Sequence, residues 1–339
     1  MRILITGFAG FVSGHFVEYL EKNKIKSEIL GIDINPTVRD YRNYEYSNVE
    51  YKRIDLLDTE VLEGIIYEFQ PEYLLHLASY SSVGFSWKNP ALSFRNNINI
   101  FLNLMEIIRR ISPRCRILSV GSSEEYGNID ETKLPLREEY PLQPLSPYAV
   151  ARVSQENLSK VYCDGYGLDI IMTRSFNHIG PGQKDVFVIP SFAKQLVDIK
   201  KSLKLPPAFG WREPRQFVDT KKGLKLEKKL ITGDITIIRD FLDVRDVVDA
   251  YYKLLINGKK GEVYNVCSGK GVRLGNIIDI FCSILNTSVE IVTDKDLIRP
   301  NENKIIFGSN EKLKAATGWD NKIELNDSLR DIIEAMHNS

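Results

Sequence analysis

The segment Thr6-Gly7-Phe8-Ala9-Gly10-Phe11-Val12-Ser13-Gly14 follows the apolar run RILIT (2–6) and opens a stretch of helical periodicity. A turn of this kind suits a pyrophosphate. Glycines let the backbone approach closely, and a helix N-terminus offers unpaired N–H groups and partial positive charge. A glycine pattern alone is weak evidence. Asp33, closing the next apolar run EILGID (28–33), strengthens it. A carboxylate there can accept hydrogen bonds from adenosine ribose hydroxyls and would repel a 2′-phosphate, so NAD(H) is expected rather than NADP(H). Asp55 ends VEYKRID (49–55) and could reach the adenine amine, or simply cap a turn. Ser13 occupies the third small position with Gly14 displaced by one, and looser helix–strand packing is expected there. Further along, Tyr148 and Arg152 lie four apart on a predicted helix and so share a face. Ser122 and Ser123 close the preceding apolar run CRILSVGSS (115–123).

The elements that must position these groups alternate. YLLHLAS (73–79) and DIIMTRS (169–175) are further strand candidates, and helices are predicted over 11–24, 58–69, 90–111 and 148–166. Alternating strands and helices imply βαβ units, and near-continuous apolar strands imply a parallel sheet buried on both faces. The expected fold is α/β, a Rossmann-type doubly wound parallel sheet. After Asn177 the pattern loosens. HIGPGQ (178–183) reads as a turn, and helices are predicted over 189–202, 244–257, 274–285, 309–316 and 325–337. EVYNVCS (262–268) is strand-like. The Lys-rich stretch 205–233 reads as a long loop or hairpin insertion, functional or merely solvated.

The glycine turn together with GSSEEYG (121–127), SPYAVAR (146–152), SFNHIGPGQ (175–183), RDFLDVRDVV (239–248) and VYNVCSG (263–269) resembles the extended short-chain dehydrogenase/reductase family. Within it the chain is most similar to the GDP-sugar branch, first to GDP-6-deoxy-4-keto-hexose reductases, which form GDP-rhamnose, and next to GDP-mannose 4,6-dehydratases. The resemblance runs from residue 1 to about 335 and implies an oxidoreductase. In that family a Ser or Thr, a Tyr and a Lys form the active site. The matching residues are Ser122, Tyr148 and, at the lysine position, Arg152. The phenol gives or takes a proton at a sugar hydroxyl or carbonyl while the nicotinamide moves hydride. A free phenol ionises near pH ~10, and a fixed cation beside one favours the phenolate. Arginine keeps the charge, but it is planar and will not deprotonate, so a proton relay through a lysine amine is lost.

The resemblance also implies a cofactor site of Gly7, Ala9, Gly10, Phe11, Val12, Asp33, Asp55, Leu56, Leu77, Ala78, Tyr148 and Arg152. For the sugar nucleotide it implies Ser82 and Ser123, Asn177 at the diphosphate, Val188 and Lys194 at the base, and Arg239 with Arg299 as a diphosphate clamp. Guanidinium forks suit paired phosphate oxygens, although Arg239 could instead pair with Asp240 or Asp243. Glu124 matches the dehydratase glutamate that removes the C5 proton, but the similar reductases carry SSEEYG as well. Reduction at C4 is therefore the first expectation. The alternatives are a 4,6-dehydratase, a C4 dehydrogenase or epimerase on a GDP-hexose or GDP-heptose, and a dinucleotide-binding protein without turnover. An NAD-binding unit of residues 1–175, with 239–266 returning to it, and a nucleotide-sugar unit of 176–238 and 267–339 are expected. Helices 90–111 and 148–166 are expected to pair two copies as a homodimer.

Composition bounds the rest. The 339 residues are 43% hydrophobic and 27% charged, which is ordinary globular material. Lys+Arg and Asp+Glu both total 45, so no basic excess points to nucleic acid. No run of ~18 apolar residues suggests a membrane span, and MRILITGFAG is not a cleavable leader, so a cytoplasmic protein is expected. Cys115, Cys163, Cys267 and Cys282 form no CxxC pair, and the four histidines make no ligand spacing, so no metal is expected.

Overall fold

Seven strands, most of them apolar runs, form one parallel sheet. In the computed structural model, which describes residues 1–37, 39–204, 228–298 and 301–338, the chain runs β1 (Arg2–Thr6), α1 (Phe11–Lys22), β2 (Ser27–Asp33), β3 (Ser47–Arg53), α2 (Thr59–Phe69), β4 (Tyr73–His76), α3 (Val83–Lys88), α4 (Pro90–Ile111) and β5 (Arg116–Ser122). It continues through α5 (Pro147–Tyr166), β6 (Asp169–Ser175), β7 (Asn177–Ile179), α6 (Val188–Lys204), β8 (Lys229–Thr232), β9 (Ile238–Asp243), α7 (Val244–Asn257) and β10 (Val263–Val266). The last elements are β11 (Gly271–Arg273), α8 (Leu274–Ile284), β12 (Glu290–Thr293), β13 (Ile305–Ile306), α9 (Glu311–Thr317) and α10 (Leu325–Asn338).

The large sheet has the order β10-β6-β5-β4-β1-β2-β3 with every pairing parallel. Its central strands are apolar throughout because helices cover both faces. Ile3, Leu4 and Ile5 of β1 are all fully buried. One face packs on α1, α7 and α9 through Phe16, Leu20, Tyr251, Leu254 and Trp319. The other packs on α2, α4 and α5 through Leu62, Phe101, Leu104 and Tyr162. Local sequence sets the helix that matters most. At α5 the Ser146 hydroxyl accepts the Ala149 N–H, Pro147 takes the first turn where its missing N–H costs nothing, and left-handed Gly167 ends the helix.

A second unit is built on β9, paired with β7, β11 and β13. Helices α6, α8 and α10 close its own core of Phe192, Leu196, Ile277, Phe281 and Ile332. The 239–266 stretch divides between the units: β9 belongs to the small sheet, whereas α7 and β10 complete the large one. The last residues of the Lys-rich 205–233 stretch form β8, which pairs in parallel with distant β12 and not in a hairpin. Residues 205–227 lie outside the described residues. The 73–79 run stops as a strand at His76. Beyond it Leu77 N–H bonds Thr6 O, and the buried Asn97 side chain accepts the Tyr80 N–H, so the chain turns over the end of β1. Thr6, Asp33, His76, Ser122 and Ser175 thus stand at one edge, the C-terminal end of the strands, where open α/β sheets bind ligands.

Candidate active site

Gly7 turns the chain out of β1 at φ +73°, a left-handed conformation that side chains rarely adopt. A Cβ there would stand 2.8 Å from the Ala78 N and 2.9 Å from the Leu77 carbonyl carbon. Gly10 then caps α1 with no side chain bonding the first N–H groups, so the Phe11 and Val12 end of the helix is left for an anion. Ser13 does not loosen the packing. It is fully buried, and its hydroxyl donates to Phe8 O at 2.6 Å or Gly10 O at 3.0 Å. Asp33 sits at the rim, accepting Ala9 N–H at 3.0 Å on one oxygen and Asn35 N–H at 2.8 Å on the other. A pyrophosphate at the bare helix end and a ribose at Asp33 fit this cradle. Asp55 accepts the Leu57 N–H at 2.9 Å and so closes its own turn, while Leu56 is buried behind it.

Beside the cradle, the first turns of α5 lie on the end of β5. Tyr148 and Arg152 are both buried, and Arg152 Nε donates to the Tyr148 hydroxyl at 3.2 Å. Arg152 Nη1 donates to Val120 O at 3.0 Å and to Gln155 Oε1 at 2.7 Å. Ser122 ends β5; its hydroxyl accepts the Glu124 N–H and its own N–H donates to Glu125 Oε1 at 2.7 Å. Glu125 is fully buried, and burial together with neighbouring Glu156 pushes its carboxyl up. Burial also raises Glu156, but the Arg174 guanidinium at 2.8 Å and Lys160 at 2.7 Å outweigh it and hold Glu156 low. His76 bonds the Thr6 hydroxyl at 2.8 Å, and burial pulls it down to about 3, so it is neutral at ordinary pH. Tyr251 from α7 closes the same interior through a 2.7 Å bond to Ser175.

Between the two units lies a cleft with about 370 Å³ of empty space, part of it open solvent. Val83 and Trp87 of α3, Glu124, Ser146 and Arg239 line it. The structure therefore brings Glu124 and Arg239, far apart in sequence, onto one cleft. Ser82 caps α3 by accepting the Phe85 N–H, and Ser123 is buried in the turn after β5. Asn177 donates to Asp240 O at 3.2 Å. Arg239 does not pair with Asp240 or Asp243. Its Nη2 faces Glu302 Oε1 at 3.6 Å, because Asp240 accepts from Ser268 and Gly269 and Asp243 holds Arg245. Val188 is exposed at the start of α6, and Lys194 is ion-paired with Asp185. Arg299 lies outside the described residues. Sequence reasoning missed Trp87, Asn97, Gln155 and Glu302. Asn97 and Gln155 are buried polar residues on helices, which no sequence pattern marks, and Trp87 and Glu302 reach the cleft only through long-range packing.

Cys115, Cys163 and Cys267 are buried free thiols and Cys282 is half-buried. Among the described residues no cluster of His, Cys, Asp and Glu is arranged to hold a metal, and no helix is long and apolar enough to cross a membrane.

Comparison with known proteins agrees with this geometry. Residues 3–267 match the model of the NAD dependent epimerase/dehydratase family, and residues 211–332 match that of GDP-mannose 4,6 dehydratase. The chain is 32% identical over 332 residues to the GDP-6-deoxy-D-mannose reductase of Pseudomonas aeruginosa, covering 98% of this chain and 96% of that one. It is similar in structure to RMD from Pseudomonas aeruginosa complexed with NADPH, with a TM-score of 0.81, 32% identity and 99% of each chain covered. It is also similar to the UDP-glucose 4-epimerase of Thermus thermophilus complexed with NAD, with a TM-score of 0.80, 26% identity and 100% of each chain covered. With its parallel sheet, its bare glycine turn and its Tyr148–Arg152 pair, the chain belongs to the NAD-dependent epimerase/dehydratase family of extended short-chain dehydrogenases/reductases.

Proposed function

We propose that this protein reduces the C4 keto group of a GDP-6-deoxy-4-keto-hexose or heptose, with Tyr148 as the proton donor. The observation that carries the reading is the buried Tyr148 hydroxyl, bonded by Arg152 Nε and two residues from Ser146, which lines the cleft together with Glu124 and Arg239. The relationship to a GDP-6-deoxy-D-mannose reductase supports the substrate class. Tyr148 protonates the C4 oxygen as charge develops on it. Ser122, whose oxygen already accepts the Glu124 N–H, keeps its own proton to donate to the same atom. Arg152 orients the phenol and faces the nicotinamide ribose. The nicotinamide supplies the reducing equivalent when bound.

Asp33 at the rim of the glycine turn favours NAD(H), since a 2′-phosphate would meet its charge; the NADPH complex of the Pseudomonas reductase makes NADP(H) the alternative to test. Gly7, Ala9, Gly10, Phe11 and Val12 hold the pyrophosphate, Asp55 and Leu56 flank the adenine, and Leu77 with Ala78 lies along the cofactor. The sugar nucleotide is read by Ser82, Ser123, Asn177, Val188, Lys194, Arg239 and Arg299. In this reading residues 1–175 and the returning 239–266, apart from β9, carry the cofactor, and 176–238 with 267–339 and β9 carry the substrate. Leu92, Phe94, Val150, Val161 and Tyr166 on α4 and α5 are exposed apolar residues, which supports a homodimer through these helices.

Glu124 on the cleft wall sustains a second reading, GDP-mannose 4,6-dehydration with Glu124 as acid–base. One experiment separates the two: GDP-mannose alone, then a GDP-4-keto-6-deoxy-hexose with NADH. Stoichiometric NADH loss only in the second mixture is expected. A 4-keto product from the first would replace the reductase with the dehydratase.

A further inference from the structure

We propose that Gln155 is a positioning residue that makes an arginine workable at position 152. The proposal rests on the reading of Tyr148 and Arg152 given above and deepens it. A buried guanidinium carries five N–H donors in a rigid fork, and each one left without an acceptor costs free energy. Arg152 is 5% exposed and Gln155 2% exposed, one helical turn apart on the face of α5 that lies against β5. Gln155 Oε1 accepts a hydrogen bond from Arg152 Nη1 at 2.7 Å, alongside Val120 O at 3.0 Å. The Gln155 amide is itself fixed, since its Nε2 donates to the Ser119 hydroxyl at 2.8 Å. Ser159, a further turn along, bonds both Gln155 O and the Ser119 hydroxyl. The amide can therefore present only its oxygen to the arginine.

The fork is rigid, so fixing Nη1 fixes its other nitrogens. Nε is left against the Tyr148 hydroxyl at 3.2 Å, with the guanidinium carbon 5.3 Å from the ring centroid. Among the described residues Nη2 finds no hydrogen-bond acceptor, so it is the nitrogen left for a ribose hydroxyl. A lysine has one compact ammonium and no second nitrogen to anchor, so Gln155 would have nothing to position there. Gln155 is thus the companion of the arginine and not a general support of α5.

The test is a double-mutant cycle of Gln155→Leu and Arg152→Lys in the full chain, read first as NADH and NADPH dissociation constants by fluorescence titration. Gln155→Leu should weaken the preferred dinucleotide by about tenfold in the arginine protein and by less than about twofold in the Arg152→Lys protein. In turnover of the GDP-4-keto sugar, Gln155→Leu should lower kcat by about tenfold while the sugar KM stays within about twofold. Equal losses in both backgrounds, or no loss of binding in either, overturn the proposal. Melting temperatures of all four proteins show whether a loss is mere unfolding, and Gln155→Met serves in place of leucine if the leucine variant does not fold. Binding needs no sugar, so the cycle stays decisive even if no GDP-sugar is turned over, an outcome that would sink the reductase reading alone.

Discussion

The groups proposed to hold the dinucleotide are mostly backbone atoms: the bare N-terminus of α1, the left-handed turn at Gly7 and the N–H groups that aim Asp33. The side chains proposed to read the sugar nucleotide are charged or polar and already hold partners: Arg239 with Glu302, Lys194 with Asp185, and Asn177 with the Asp240 carbonyl. The first surface is set by the path of the chain and needs no rearrangement. In the proposed reading the second gives up internal contacts to take a ligand, which ties its affinity to side-chain chemistry. A fixed cofactor cradle can serve a whole family, whereas a set of engaged side chains can be retuned one substitution at a time.

The reacting group between the two sides should be the most sensitive. Tyr148→Phe removes the proton donor without altering either surface, and turnover should fall by about 10²–10⁴-fold with dinucleotide affinity nearly unchanged, checked by steady-state NADH oxidation and fluorescence titration. An undiminished rate would remove the phenol from the chemistry. Next comes the substrate side. Arg239→Met should raise the sugar-nucleotide KM by about 10–100-fold, the scale of one lost charge-assisted contact, and leave NADH binding alone. If NADH weakens equally, the two surfaces are not separate. On the cofactor side the matching blow is to backbone. Gly7→Ala places a Cβ 2.8 Å from the Ala78 N at φ +73° and should cost about 1–3 kcal/mol of stability, read from urea midpoints, and weaken dinucleotide binding.

The smallest effect is a pH dependence in the second unit. Burial pushes Asp240 up to about 6, against an ordinary value of 3.8, while its bonds from Ser268, Gly269 and Gly308 oppose the shift. Between those two values the folded state keeps a proton that the unfolded chain has released. The favourable contribution is complete below 3.8 and is lost as pH rises through about 6, at no more than about 1.4 kcal/mol per pH unit. Denaturation at stepped pH should show this slope in the parent protein and a flatter one in Asp240→Asn.

The sheet and its cradle were legible because their signals are local. A strand, a glycine turn, a helix and then Asp33 follow one another within a single βαβ unit, and β6 and α7 fall on their predicted residues. The small sheet was not legible. Its strands are two to six residues long, and β9 finds β7, β11 and β13 only through long-range pairing that periodicity does not report. Arg239 shows the same limit: its neighbours in sequence, Asp240 and Asp243, are claimed by other partners, and its own partner Glu302 arrives from a distant loop. Gln155 and Asn97 read as ordinary polar residues on helices, and only the packing of α5 on β5 and of α4 under the 77–80 turn shows that they face inward.

The division of the 239–266 stretch carries one more consequence. The chain leaves the large sheet after β6, re-enters it at α7, departs again after β10, sends α9 back into the first core and ends with α10 in the second. Two bodies laced together at so many points swing less freely than two joined by a single linker, so the chain path itself helps to set the spacing between their facing surfaces.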